Sequence, residues 1–187
     1  DANGSMTGSA SGGNAWGFWY NGRGRLAAAQ LTGGAQVAYI YNSLGQRVSK
    51  RDGATQIRFV YGPNGVLGEY GSAPRDYVWM DNVPVGVIDA SGVAFIHADG
   101  LDAPRAVTNA GGAVVWGWAF KSNPFGEAAP TSNQGYVLNL RFPGQYYDAE
   151  SGLIYNFNRY YDPSVGRYSQ SDPIGLIGGL STYLYSS

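Results

Sequence analysis

A short unit recurs along this chain roughly every twenty residues, a spacing typical of repeat architectures. Each copy is an aromatic or β-branched run, a turn containing Gly or Asn, and a return run. Tyr39 to Val48 is one copy; Phe18 to Leu26, Phe59 to Leu67 and Tyr77 to Val85 have the same shape. Within the runs, residues alternate with the period of a strand, as in Tyr39 and Tyr41 against Ile40. Both resulting faces carry bulk, so neither is expected to be freely solvated. Asn3-Gly4, Asn21-Gly22 and Asn64-Gly65 supply the positive φ that tight hairpin turns demand. One hairpin cannot stand alone, but stacked hairpins share edges and build a continuous sheet. The expectation is an all-β chain: a strip of antiparallel β-hairpins. Leu26 to Leu31 is helix-permissive but short, and Ser9 to Asn14 reads as a long turn or join.

Composition agrees. The chain has 187 residues, enough for one domain with a core, and 29 of them are Gly. Charged residues make up only 13% and aromatics 14%, the opposite of a disordered chain. A net charge of −1 leaves no electrostatic footprint for nucleic acid. No apolar run approaches the roughly 20 residues that span a bilayer. The N-terminus is polar and lacks the charged start of a signal peptide. With no Cys, disulfides, a thiolate nucleophile and thiolate zinc sites are excluded.

Three longer stretches carry more specific patterns. The first is His97-Ala98-Asp99-Gly100-Leu101-Asp102-Ala103-Pro104-Arg105-Ala106-Val107-Thr108. The second ends in Asn123-Pro124-Phe125-Gly126-Glu127. The third runs from Arg141 to Leu176 and includes Tyr146-Tyr147-Asp148, Gly152, Tyr155, Arg159-Tyr160-Tyr161-Asp162-Pro163, Gly166-Arg167 and Asp172-Pro173-Ile174-Gly175-Leu176. Together they resemble the core segment of RHS/YD-repeat proteins. The first residues, Asp1 to Gly8, resemble that family's repeat without its leading Tyr, so the chain is expected to begin in mid-repeat. Asp102 stands where the family usually has Gly, which puts that turn in question.

The resemblance implies hairpin repeats over residues 1–96 and a core-associated segment over 97–187. It implies a coiled hollow shell, of which this chain is a part, enclosing a C-terminal effector polypeptide. The remaining shell and a secretion-machine component are implied partners, type VI secretion being a common route. The protein would be made in the cytoplasm and then secreted, delivered or displayed at a cell surface. No cofactor is implied. Two cut-looking ends would expose strand edges, which invite pairing with another chain.

In many members an aspartyl autoprotease, built partly from Asp-Pro-x-Gly-Leu motifs, frees the cargo. Asp172 matches the first such motif, and Gly178 to Tyr185 follow the family's next residues. A second motif is absent from the sequence. Aspartyl proteolysis needs two carboxylates sharing a proton, and nothing in the spacing puts Asp148, Glu150 or Asp162 beside Asp172. Asp172 as a turn residue, with Pro173 fixing φ and Gly175 closing the turn, is the reading favoured for the chain alone.

Other candidates have plain alternatives. Arg141, Arg159 and Arg167 can orient a carboxylate, but stacking on Tyr rings or pairing with Asp is the simpler role. His97 and Asp99 share a strand face as metal ligands do, yet no third ligand is evident. Tyr146, Tyr147, Tyr155, Tyr160, Tyr161 and Tyr168 can be read as a glycan platform or as cross-strand packing, and the repeat register favours packing.

Overall fold

The computed structural model describes residues 1–11, 14–175 and 181–185. Leu176, Gly178, Gly179 and Leu180 lie outside the described residues, as do Gly12 and Gly13.

The hairpins form strands β1 (Gly8–Ser11), β2 (Asn14–Tyr20), β3 (Leu26–Leu31), β4 (Gln36–Tyr41), β5 (Arg47–Asp52) and β6 (Thr55–Gly62). They continue as β7 (Gly65–Tyr70), β8 (Arg75–Met80), β9 (Val83–Asp89), β10 (Gly92–Ala98), β11 (Pro104–Asn109), β12 (Val114–Gly117) and β13 (Thr131–Ser132). These thirteen lie in one sheet in simple chain order. A second sheet holds β14 (Tyr146–Tyr147), β15 (Ile154–Asn156), β16 (Arg159–Asp162) and β17 (Arg167–Tyr168), again in chain order. Among the described residues there is no α-helix, so none is long and apolar enough to cross a membrane.

Five turns share one local device. Asp1, Asn21, Asn42, Asp99 and Asn109 each turn the side-chain Oδ1 back to accept the N–H four residues on, at 2.8–3.1 Å. The residue three positions on donates its N–H to the same Asx carbonyl, at 2.9–3.0 Å. That residue sits at positive φ: Gly4 at 78°, Gly24 at 71°, Gly45 at 85°, Asp102 at 58° and Gly112 at 82°. In Asn21-Gly22 the sequence expectation therefore moves by two residues. Asn21 is the acceptor and Gly24, not Gly22, takes the left-handed position.

Asp102 keeps the same turn geometry without Gly. Its Cβ makes the left-handed conformation costly, and among the described residues its carboxylate accepts no hydrogen bond in return. Asp102→Gly is expected to stabilise the chain by about 1 kcal/mol, read as a higher urea midpoint at unchanged slope. An unchanged or lower midpoint would contradict this.

Leu26 to Leu31 is strand β3 rather than helix. Ala29 pairs opposite Phe18 and Ala28 opposite Trp19, so small side chains lie beside large ones across the pair. Leu26 and Ala29 are fully buried there, and tertiary packing overrides the helix propensity of an Ala-rich run. Ser9 to Ser11, read as a join, pair with β2 as strand β1.

By contacts the chain forms two compact units, residues 1–56 with 147–187, and residues 57–146. In the second unit one sheet face is covered: Phe59, Val66, Tyr77, Val87, Ala94, Ile96, Val107 and Trp116 are buried. The registers place Val60, Val78, Ile88, Val93 and Phe95 on the opposite face, where they remain 41–49% exposed. The expectation that neither face is freely solvated thus holds on the covered face alone within this chain.

Candidate functional site

The third sequence stretch contributes to a buried ionic cluster in each unit. In the first unit, Arg47 on β5 has no exposed surface and pairs with Asp148, which has none either. The Nη1 of Arg47 also donates to the Tyr160 hydroxyl at 2.9 Å, and its backbone N–H donates to the Tyr155 hydroxyl at 2.9 Å. Its guanidinium stacks over the rings of Tyr155, Tyr39 and Tyr160, with centroids at 4.5, 5.3 and 5.9 Å. Lys50 Nζ bridges Asp148 at 3.1 Å and Glu150 at 3.0 Å.

Electrostatics keep the two cations of this cluster charged. Burial alone would push the Arg47 guanidinium down, but the adjacent Asp148 carboxylate more than reverses that and holds it well above its ordinary range. Lys50 follows the same pattern: burial lowers it, and Asp148 with Glu150 raises it further. Glu150 is raised, first by burial and then by the Asp148 charge. The Tyr39 and Tyr160 hydroxyls are pushed well above the usual phenol value, chiefly by burial.

The rest of the segment packs around this cluster. Ile154, Tyr161 and Tyr168 form a buried group with Tyr147 and Tyr185 against it. Gln170 accepts the Tyr160 N–H at 2.6 Å and donates to the Gly24 carbonyl at 3.2 Å. Gly152 and Gly166 take positive φ in turns begun by Asp148 and Asp162. Asp162, followed by Pro163, accepts the N–H and hydroxyl of Ser164. Arg167 lies on β17, its side chain exposed.

In the second unit Glu69 is the buried anion. It accepts the Tyr77 hydroxyl at 3.0 Å and the Tyr146 hydroxyl, and pairs with Arg75 Nε at 3.0 Å. Tyr146 also stacks edge-on against Phe59 at 5.0 Å. Arg141 donates to the carbonyls of Leu138 and Leu140 and lies over Trp116 and Trp118. Arg105 pairs with Asp99 at 2.7 Å and covers the Trp118 ring at 4.9 Å.

Asp172 sits in a turn. Its Oδ1 accepts the Ile174 N–H at 3.0 Å, and its carbonyl accepts the Gly175 N–H at 2.9 Å, with Gly175 at φ 62° after Pro173. Its Oδ2 pairs with Arg159 Nη2 at 2.9 Å, and that guanidinium lies 3.6 Å from the Tyr168 ring centre. Among the described residues none of its bonds goes to another carboxylate. His97 Nε2 meets the Thr108 hydroxyl at 2.9 Å, while both Asp99 oxygens are occupied by Leu101, Ala103 and Arg105. Burial raises the Asp99 carboxyl, but these donors outweigh it and hold it below the usual range. Among the described residues no three acids or His gather as a metal site.

Tyr146, Tyr155, Tyr160 and Tyr161 are 0–2% exposed, so their faces are not open to stack on a sugar. Sequence spacing gave no sign that Arg47, Lys50, Glu69 and Arg75 belong to these clusters. The one available signal is scarcity: Arg47, Lys50 and Arg51 crowd one short strand in a chain that is only 13% charged.

The Teneurin YD-shell family matches residues 1–175. The chain is 30% identical over 210 residues to Double-stranded DNA deaminase toxin A of Burkholderia cenocepacia, covering 90% of this chain and 14% of that protein. It is 40% identical over 94 residues to Toxin protein Tse5 of Pseudomonas aeruginosa, covering 50% of this chain and 7% of that protein. This chain thus spans a small part of these relatives' own length. The Photorhabdus luminescens Tc holotoxin pore superposes with a TM-score of 0.75 at 24% identity, over 98% of this chain and 10% of that one, and so shares its fold. A match over residues 1–175, hairpins and core segment alike, means that the chain belongs to the Teneurin YD-shell family, among the RHS/YD-repeat shell proteins.

Proposed function

We propose that this chain is a stretch of shell wall that encloses and presents a C-terminal toxin polypeptide in a longer, exported protein. Residues 1–96 supply hairpin wall and residues 97–187 the core-associated segment. The observation that carries the reading is the way the segment is held. Its Asp148 and Tyr146 are spent on buried clusters with Arg47 and Glu69, which are wall residues, and not on an open reactive site. The exposed edges of the strip pair with the remaining shell, and a secretion machine of the type VI kind exports the assembly.

Asp172 is a turn residue in this reading. Its carboxylate already receives a backbone N–H and an arginine, so both oxygens are tied to the turn and to Arg159.

The test uses the long protein with its C-terminal effector region. Limited proteolysis is expected to spare the effector while the shell is folded and to digest it once the shell is unfolded in urea. Digestion at the rate of the isolated effector would refute enclosure. Intact mass under denaturing conditions is expected to be the same for wild type and Asp172→Asn. Two pieces in the wild type alone would establish autoproteolysis instead.

A further inference from the structure

Within the second unit, Asp89, Asn109, Asn133, Gln134 and Tyr136 line one cavity of about 350 Å³. It lies where β9 ends, β10 begins and β11 turns towards β12, with the 132–136 turn beside it. Neither cluster described above uses these side chains.

Local hydrogen bonds aim several of them. Asn109 Oδ1 accepts the N–H groups of Gly111 and Ala113, both at 3.0 Å. Two N–H donors require an oxygen there, so the Asn109 Nδ2 must face away, and among the described residues neither of its donors has a partner. Asp89 Oδ1 accepts the Ser91 N–H at 2.8 Å, and among the described residues Oδ2 accepts no hydrogen bond. The 132–136 turn is held by Asn133 N–H to Val115 carbonyl at 2.8 Å and by Ser132 Oγ to Tyr136 carbonyl at 2.7 Å. In that turn Gln134 adopts φ 54°, a left-handed conformation that costs energy without Gly. The Tyr136 hydroxyl oxygen is buried and, among the described residues, has no hydrogen-bond partner. A buried hydroxyl without a partner costs stability and marks a place where another polar group belongs.

The chemistry of the lining selects the ligand. No Lys or Arg lines the cavity, and Arg75, which lies near enough to the Tyr136 hydroxyl to act on its charge, is already paired with Glu69, which leaves little pull for phosphates and carboxylates. One carboxylate, three amides and a phenol offer donors and acceptors side by side, and Val93, Ala94, Ala110 and Val115 supply apolar wall between them. Hydroxyl groups both donate and accept, so a ring carrying adjacent hydroxyls satisfies such a mixed array, whereas a lipid or an anion does not. The volume accommodates one pyranose ring.

We propose that this cavity is a carbohydrate subsite that takes a single pyranose unit, with Asp89 Oδ2 accepting from one ring hydroxyl and Asn109 Nδ2 and Tyr136 Oη donating to its neighbours. The proposal is independent of enclosure: the subsite serves a shell that meets glycans on a surface, and equally any other role for this sheet.

The probes are glucose, galactose, mannose and N-acetylglucosamine, each added to the whole chain and read by saturation-transfer NMR. At least one is expected to bind with a millimolar dissociation constant. Two variants leave the fold alone. Asn109→Asp keeps the Oδ1 that the turn needs and removes both donors. Tyr136→Phe removes a hydroxyl that bonds nothing in the free protein. Each is expected to weaken binding about tenfold, the usual worth of one hydrogen bond, with melting temperature unchanged or slightly raised. No saturation transfer from any of the four sugars, or binding that neither variant weakens, would overturn the proposal.

Discussion

Asp148→Ala is expected to destabilise the first unit by about 3–5 kcal/mol, because it removes the carboxylate that Arg47 pairs with in a site closed to solvent. Arg47 and Asp148 have no exposed side-chain surface, and Lys50 would lose its Asp148 partner while keeping Glu150. The Tyr39, Tyr155 and Tyr160 rings attract the cation but cannot neutralise it. Urea unfolding would show the loss, and early proteolysis within residues 147–170 would locate it. The double variant Arg47→Met with Asp148→Leu is expected to recover most of the stability, since apolar side chains of similar size often replace a buried pair without loss. A single-variant cost below about 1 kcal/mol would place this pair with surface bridges instead.

Alkaline titration is expected to unfold the chain within one to two pH units above 10. Burial pushes the hydroxyls of Tyr39, Tyr41, Tyr77 and Tyr160 above the ordinary phenol value. The unfolded chain loses these protons near pH 10, while the folded chain keeps them. The native state then binds more protons than the unfolded one, so stability falls as pH rises. Below pH 10 both states are protonated and the effect vanishes. Each tyrosine removes about 1.4 kcal/mol per pH unit, so these four remove about 5 kcal/mol per unit against a typical total of 5–15. Phenolate absorbance and circular dichroism should therefore change together in one steep step. A gradual phenolate signal over an intact fold would show that these hydroxyls reach solvent.

The chemistry these predictions address is stability, because the buried charge here holds a segment in place. In a chain with so few charges, two clusters take up Arg47, Lys50, Asp148 and Glu150 on one side, and Glu69 with Arg75 on the other. Placing a polar group where it is costly unless paired makes the register of the segment specific: a slip by one residue would leave Asp148 or Tyr146 facing the wrong side.

What the sequence determined by itself is local. The five Asx turns close within five residues, so an Asx and, in four of the five, a Gly three positions on contain the information the turn needs. Alternating aromatic and β-branched runs between those turns dictate antiparallel hairpins for the same reason. The long motif from Arg141 onward was legible as a pattern in register, and Asp172-Pro173-Ile174-Gly175 as a turn. Where a local rule had two solutions, only the tertiary structure chose. Leu26 to Leu31 satisfies helix propensity, but Phe18 and Trp19 across the strand pair make it β3. The pairing of Arg47 with Asp148, of Glu69 with Tyr146, and the meeting of Asp89, Asn109 and Tyr136 at one cavity join residues far apart in the chain. No periodicity encodes such meetings. They follow from which strand lies beside which, and from the energetic demand that a buried charge or hydroxyl find its partner there.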